Sequence, residues 1–119
     1  MVLTGGGLGA VARYAVGLAL SARFGGRFPL GTFVVNLSGS FLIGILMTLL
    51  TERLQPHPNW RLFLIVGFLG GYTTFSSFEY ETFRAVEDGG AWIGLLNVVG
   101  SVTLGYAAVW IGTIITRLR

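Results

Sequence analysis

The chain has no cysteine and no lysine, and only 11% of its 119 residues are charged. The lack of cysteine excludes disulfides and thiolate metal sites. The lack of lysine bears on the basic balance, a formal net charge of +3 with a pI near 10.0. Eight dispersed arginines make no basic stripe, so nucleic acid is not an expected partner. A soluble domain carries roughly 25% charged residues, and this deficit leaves too little to keep a surface wet. Histidine is nearly absent too. His57 is alone, in a predicted loop between Pro56 and Pro58. No Ser-His-acid set or acid pair assembles at membrane depth, so an enzyme is not expected.

What is present is apolar: hydrophobic residues make up 53% of the chain. A helix crossing a bilayer needs about 20 of them in succession. Four such stretches are predicted at residues 2–22, 31–51, 61–83 and 92–116. The expected fold is an all-α integral membrane protein, one four-helix transmembrane domain over residues 1–119. Ala19, Leu20 and Ser21 have the small-x-small look of a cleavage site, but no basic residue precedes the apolar run and Arg13 sits inside it, the reverse of a cleaved signal. Trp60, Trp92 and Trp110 fall near predicted span ends, where amphipathic rings prefer the interface.

Short loops hold the remaining charge. With four spans, both termini and the second loop share one side, carrying Arg53, Arg61, Arg117 and Arg119. The other side carries Arg23, Arg27 and Arg84, and Arg13 stays within a span. Orientation follows the arginine and lysine bias of short loops. Four against three is almost no bias, which predicts insertion in both orientations and an antiparallel pair of chains.

Small residues recur at four-residue spacing: Gly5 and Gly9, Ser40 and Gly44, Gly67 and Gly71, Ser101 and Gly105. Lipid gives helices no hydrophobic reason to associate, so close backbone approach through small residues must hold such a bundle. Gly5, Gly7 and Ala10 also fit a dinucleotide fingerprint, but without a preceding strand or a βαβ unit the match is chance. Asn36-Leu37-Ser38 fits a glycosylation acceptor but lies inside a span.

Several polar residues at membrane depth require a reason. Arg13 lies mid-span, where a charge costs about 2.5–3.5 kcal/mol on insertion scales. It either snorkels to an interface or lends cationic character to an anion path. Asn36 and Ser40 share a face of the second span, and Asn97 and Ser101 repeat that spacing in the fourth. These stripes are interhelical glue or a water-bearing track whose amide donors suit a desolvated anion. In the third span Gly70-Gly71-Tyr72-Thr73-Thr74 is poor helix and predicts a local break, or else a tight packing notch. Carbonyls freed at breaks in membrane helices bind cations. Phe75 and Phe78 follow on one face. They are lipid-facing or core residues, or their positive ring edges solvate a small anion without a fixed cation that would trap it.

Three segments resemble the Fluc-type (CrcB) fluoride channels of microorganisms. They are Gly9-Ala10-Val11-Ala12-Arg13-Tyr14, the run from Gly31 through Asn36 and Ser40 to Phe41, and the run from Gly67 through Gly71 and Thr74 to Phe78. The resemblance covers the whole chain and its span count. It implies an antiparallel homodimer in the cell membrane with two fluoride pores, passively exporting fluoride that enters as its neutral acid. It implies that Asn36, Phe75 and Phe78 line each pore, with the hydroxyls of Thr74, Ser76, Ser77 and Ser101 in a polar track and Glu81 one turn past the phenylalanines. It also implies a structural sodium ion at the dimer centre, not transported, held by the backbone carbonyls of Gly70 and Thr73 from each subunit. Asn97 stands where the family usually has tyrosine, and Ser77 replaces a common threonine, so the exit end of the track departs from the pattern.

Two other readings compete. A small dual-topology multidrug or cation antiporter also has four spans, but relies on a carboxylate in an early span, and none precedes Glu52. A non-conducting assembly subunit would explain the small-residue seams but not the polar stripes.

Overall fold

The computed structural model describes residues 1–24 and 28–118. Gly25, Gly26 and Arg27 of the first loop and the terminal Arg119 lie outside the described residues, as do the two side assignments made for these arginines. Among the described residues, four helical spans are long and apolar enough to cross a membrane: Val2–Phe24, Leu30–Arg53, Pro58–Gly89 and Ala91–Arg117. We label the first two α1 and α2. The third is divided into α3, residues 58–72, and α4, Ser76–Gly89. The fourth is α5, Ala91–Arg117. The long axis of 47 Å matches a bilayer with its headgroup layers, about 40–45 Å.

The ends of these helices follow from local chemistry. His57 Nδ1 accepts from the Asn59 N–H at 3.1 Å, and Pro58 occupies the first helical position, where its missing N–H costs nothing. The histidine is thus a cap for α3. The third span also runs on past residue 83, the expected end. Arg84 faces Glu87 and Asp88 three and four residues on, each at 3.8 Å, and such spacing supports an exposed helical turn. Gly90, with φ of +100°, then turns the chain directly into α5. Charge alone placed these residues in a loop; their periodicity keeps them helical.

Glycine decides which helices touch. A Cβ on Gly5 would strike the Phe63 carbonyl of α3, and one on Gly9 would strike that of Phe68. A Cβ on Gly71 would meet the carbonyl of Gly6. Rising numbers on α1 meet rising numbers on α3, so the two run parallel with backbones in contact. The same holds for α2 and α5: Phe33 lies by Gly100, Ser40 by Gly105 and Glu52 by Arg117, while Gly44 and Gly112 let the two backbones touch at the Val109 and Phe41 carbonyls. Arg117 at the end of α5 makes a two-pronged pair with Glu52 at 2.8 and 3.1 Å, and Arg53 donates to the Arg117 carbonyl at 2.9 Å. That end of the bundle is strapped at its rim.

The buried core is small, centred on Val35, Leu69 and Tyr72 with Ala12, Val16, Ile43, Leu46 and Phe68 against them. Large apolar side chains are instead mostly outside: Leu3 is 89% exposed, Trp92 70% and Phe75 74%. In water such a surface would aggregate. In lipid it is the solvated face.

Candidate functional site: a pinned break between two clefts

Midway along the third span the helix stops. Fifteen residues of Pro58–Gly89 precede Thr73 and fifteen follow Thr74 (58–72 and 75–89). Thr73 is extended, with φ −85° and ψ 158°. The turn sequence explains this locally. The stretch Leu62–Leu69 already winds wide, as a π-helix, and the N–H of Gly70 reaches back five residues to the Ile65 carbonyl. Two glycines follow, then two β-branched threonines with low helix propensity.

A break inside a membrane is tolerable only if its backbone groups find other partners. Asn36 supplies them. Its Nδ2 donates to the Thr74 carbonyl at 3.0 Å, and its Oδ1 accepts from the Thr74 N–H at 2.9 Å. That N–H would otherwise close the helix onto the Gly70 carbonyl. Arg13 approaches from α1 and its Nε donates to the Gly71 carbonyl at 3.1 Å. Thr73 Oγ1 turns back to the Leu69 carbonyl at 2.9 Å. On the far side, Thr74 Oγ1 accepts from the Ser77 N–H at 3.4 Å, beginning α4. Tyr72 is fixed through its hydroxyl, 2.9 Å from Ser38 Oγ, which itself donates to the Val35 carbonyl at 3.1 Å. Its ring stacks on Phe68.

Two clefts meet the break. The first, about 540 Å³, is polar and charged: Arg13, Ser77, Glu81, Arg84 and Asp88 line it with the start of α2. The second, also about 540 Å³, is lined by Asn36, Ser40, Gly70, Thr73, Thr74 and Phe75. Phe75 and Phe78 stand at the break with ring centroids 6.1 Å apart and planes tilted by 49°. Phe78 is 6% exposed, in contrast to Phe75 on the open face. Ser76 is exposed beside Phe75.

Asn97 and Ser101 lie apart from both clefts. Asn97 is 1% exposed, between α4 and α5. Its Nδ2 donates to Thr82 Oγ1 at 2.8 Å, and its Oδ1 accepts from Ser101 at 3.3 Å. Thr82 was invisible to sequence reasoning, because a lone threonine one turn past Phe78 has no distinguishing spacing. Of the expected residues, Asn36, Thr73, Thr74, Phe75 and Gly70 come together in one cleft. Arg13, Ser77 and Glu81 gather in the other.

Among the described residues, four membrane-length helices, one of them with a polar, pinned break midway, define a multi-pass integral membrane protein. The chain matches the family described as CrcB-like protein, Camphor Resistance (CrcB), over residues 1–113, and it belongs to that family. A relative from Solibacter usitatus, named fluoride-specific ion channel FluC, is 68% identical over 98% of this chain and 96% of its own length. The protein of that name from Acidobacterium capsulatum is 48% identical over 96% of this chain and 91% of its own. One from Methylococcus capsulatus with the same name is 43% identical over 98% of this chain but only 51% of its own length.

Proposed function

We propose that this protein is a fluoride-selective channel that passively exports fluoride from the cytoplasm, and not an enzyme. The carrying observation is the 68% identity, over 98% of this chain, to a relative named a fluoride-specific channel. The break supplies a physical reason. A buried unpaired ion is prohibitively costly by Born estimates, so an anion path must replace water with many neutral donors. Asn36 spends one of its two N–H donors on Thr74. The other is left for an ion in the adjoining cleft. The first turn of α4 begins next to Thr74 and Phe75 of the same cleft, and a helix N-terminus favours negative charge. The ring edges of Phe75 and Phe78 and the hydroxyls of Thr74, Ser76 and Ser77 extend the path, and Ser101, held by the Asn97 amide, would offer a further hydroxyl beyond the two clefts. Arg13 and Glu81 stand in the charged cleft at its mouth. None of these groups except Arg13 is a cation that would hold fluoride too tightly to release it, and Arg13 already gives its Nε to Gly71.

The working unit in this reading is an antiparallel homodimer inserted in both orientations. The second cleft supports it: polar Asn36, Ser40, Thr73 and Thr74 midway along the spans are poor neighbours for lipid tails, and a second copy would cover them with the exposed Phe75. The Methylococcus capsulatus relative is long enough to hold a second unit of the same size. At the dimer centre, the carbonyls of Gly70 and Thr73 from each subunit would hold a structural sodium ion. The residues fit it, because diverting the Thr74 N–H to Asn36 leaves the Gly70 carbonyl without its helical donor on an exposed face. Sodium there would neutralise converging carbonyl dipoles and hold the subunits together.

The test is purified protein in liposomes, with fluoride and chloride electrodes reading efflux. Rapid fluoride efflux without chloride efflux is expected. Absence of fluoride flux, or coupled proton–drug exchange, would overturn the reading. A C-terminal accessibility tag should label from both faces of the membrane, and sodium-free dialysis should dissociate the dimer and stop the flux.

A further inference from the structure

A chain of three hydrogen bonds links α5 to the backbone beneath Phe78, and its direction follows from counting protons. Thr82 Oγ1 lies 2.7 Å from the Phe78 carbonyl oxygen. A carbonyl has no proton to give, so the single hydroxyl proton of Thr82 must sit between the two. Thr82 can then only accept from Asn97, whose NH₂ group therefore faces it at 2.8 Å. This fixes the amide the other way round at its far end. Asn97 Oδ1 faces Ser101, and the Ser101 hydroxyl donates to it at 3.3 Å. That last bond is the longest of the three, and hydrogen bonds weaken with length. Burial keeps water from the Asn97 amide, which is 1% exposed. The helices pack closely beside the contact: a Cβ on Gly94 of α5 would strike Val86, one turn past Thr82 on α4.

We infer that Thr82 is a positioning residue for conduction: it orients the Asn97 amide so that the Ser101 proton rests on a weak acceptor, ready to be turned onto a passing anion. Without Thr82 the amide is free to flip. Its NH₂ group would then face Ser101, which would become an acceptor and present its proton elsewhere. The inference rests on the fluoride-conduction reading above. It assigns to Thr82 no contact with the ion.

The experiment compares fluoride efflux from liposomes for the wild type, Thr82→Val, Thr82→Ser, Ser101→Ala and the double variant Thr82→Val/Ser101→Ala. Size-exclusion and thermal unfolding in detergent are run on each. Valine keeps the shape of threonine and removes the hydroxyl; serine keeps the hydroxyl. Efflux should fall about tenfold in Thr82→Val, the scale of one buried hydrogen bond. It should recover to within about twofold of wild type in Thr82→Ser, a margin well inside one hydrogen bond. The double variant should be no slower than Ser101→Ala alone, because Thr82 acts through Ser101. Equal efflux in wild type and Thr82→Val overturns the inference, as does additive loss in the double variant. If Thr82→Val does not fold, a Thr82→Ser protein that folds but conducts no better than Ser101→Ala overturns it as well. A wild-type protein carrying no fluoride overturns the conduction reading, and this inference with it.

Discussion

Two asparagines, each followed four residues later by serine, sit on parallel helices, yet they do different work. Asn36 is half-buried at a cleft and bonds only backbone, closing both sides of the Thr74 peptide. Asn97 is fully buried and bonds only side chains, Thr82 and Ser101. The first replaces hydrogen bonds that a broken helix has lost. The second cross-links two intact helices. The same spacing therefore marks a structural necessity in one place and an adjustable network in the other, and backbone continuity of the facing helix makes the difference.

The most damaging way to test this contrast is Asn36→Ala. It orphans the Thr74 N–H and carbonyl together, so it should destabilise the protein by about 2–3 kcal/mol and cut fluoride efflux roughly a hundredfold. Asn36→Asp keeps the acceptor for the Thr74 N–H but loses the donor, and should conduct no better, since it adds a negative charge to an anion path. A stable, fully conducting Asn36→Ala protein would remove the clamp from both roles.

The phenylalanines come next and separate packing from chemistry. Phe78→Ile should lower both thermal stability and flux, because Phe78 is buried; a large core change of this kind costs about 1–3 kcal/mol. Phe75→Ile should leave the stability of the single chain unchanged and still lower flux, because Phe75 stands on the open face. Unchanged flux with isoleucine at both positions would reduce the rings to filler.

Asn97→Leu should have a milder effect. It leaves the Thr82 proton on the Phe78 carbonyl and removes one acceptor from Ser101, so a loss of stability near 1 kcal/mol and a partial loss of flux are expected. A collapse as severe as that of Asn36→Ala would erase the distinction between the two asparagines. Smallest of all should be Glu52→Gln. It weakens the exposed pair with Arg117 at the rim, where ion pairs contribute little, and flux should stay at the wild-type level in the liposome assay.

Much of the fold was legible because lipid enforces simple rules. Four apolar runs became four spans, and the pairs Gly5/Gly9 and Gly67/Gly71 became one backbone-to-backbone seam. The poor helix at Gly70-Gly71-Tyr72-Thr73-Thr74 shows both readings in part, an extended Thr73 and a Gly71 packed against Gly6. What escaped was partnership across the chain. Asn36 meets Thr74 from 38 residues away, and Arg13 meets Gly71 from 58. No spacing rule predicts which side chain reaches an orphaned carbonyl, because the choice depends on how the glycine seams set neighbouring helices. Thr82 was missed for the same reason. The third helix was underestimated because charge was read as loop, when Arg84, Glu87 and Asp88 sit one turn apart on a wetted helical end.

An interrupted helix is usually a joint about which two rods swing. The joint between α3 and α4 is splinted. Asn36 grips it from one helix and Arg13 from another, while Thr73 ties back to Leu69. Beyond it, α4 is fastened to α5 by the single residue Gly90 and by the Thr82–Asn97 bond. Bending at Thr73 and Thr74 would have to drag α5 along and tear out several buried bonds at once. A joint held in this way is a fixed fitting and not a hinge, so the shape and chemistry of the walls beside it would set the throughput of the duct.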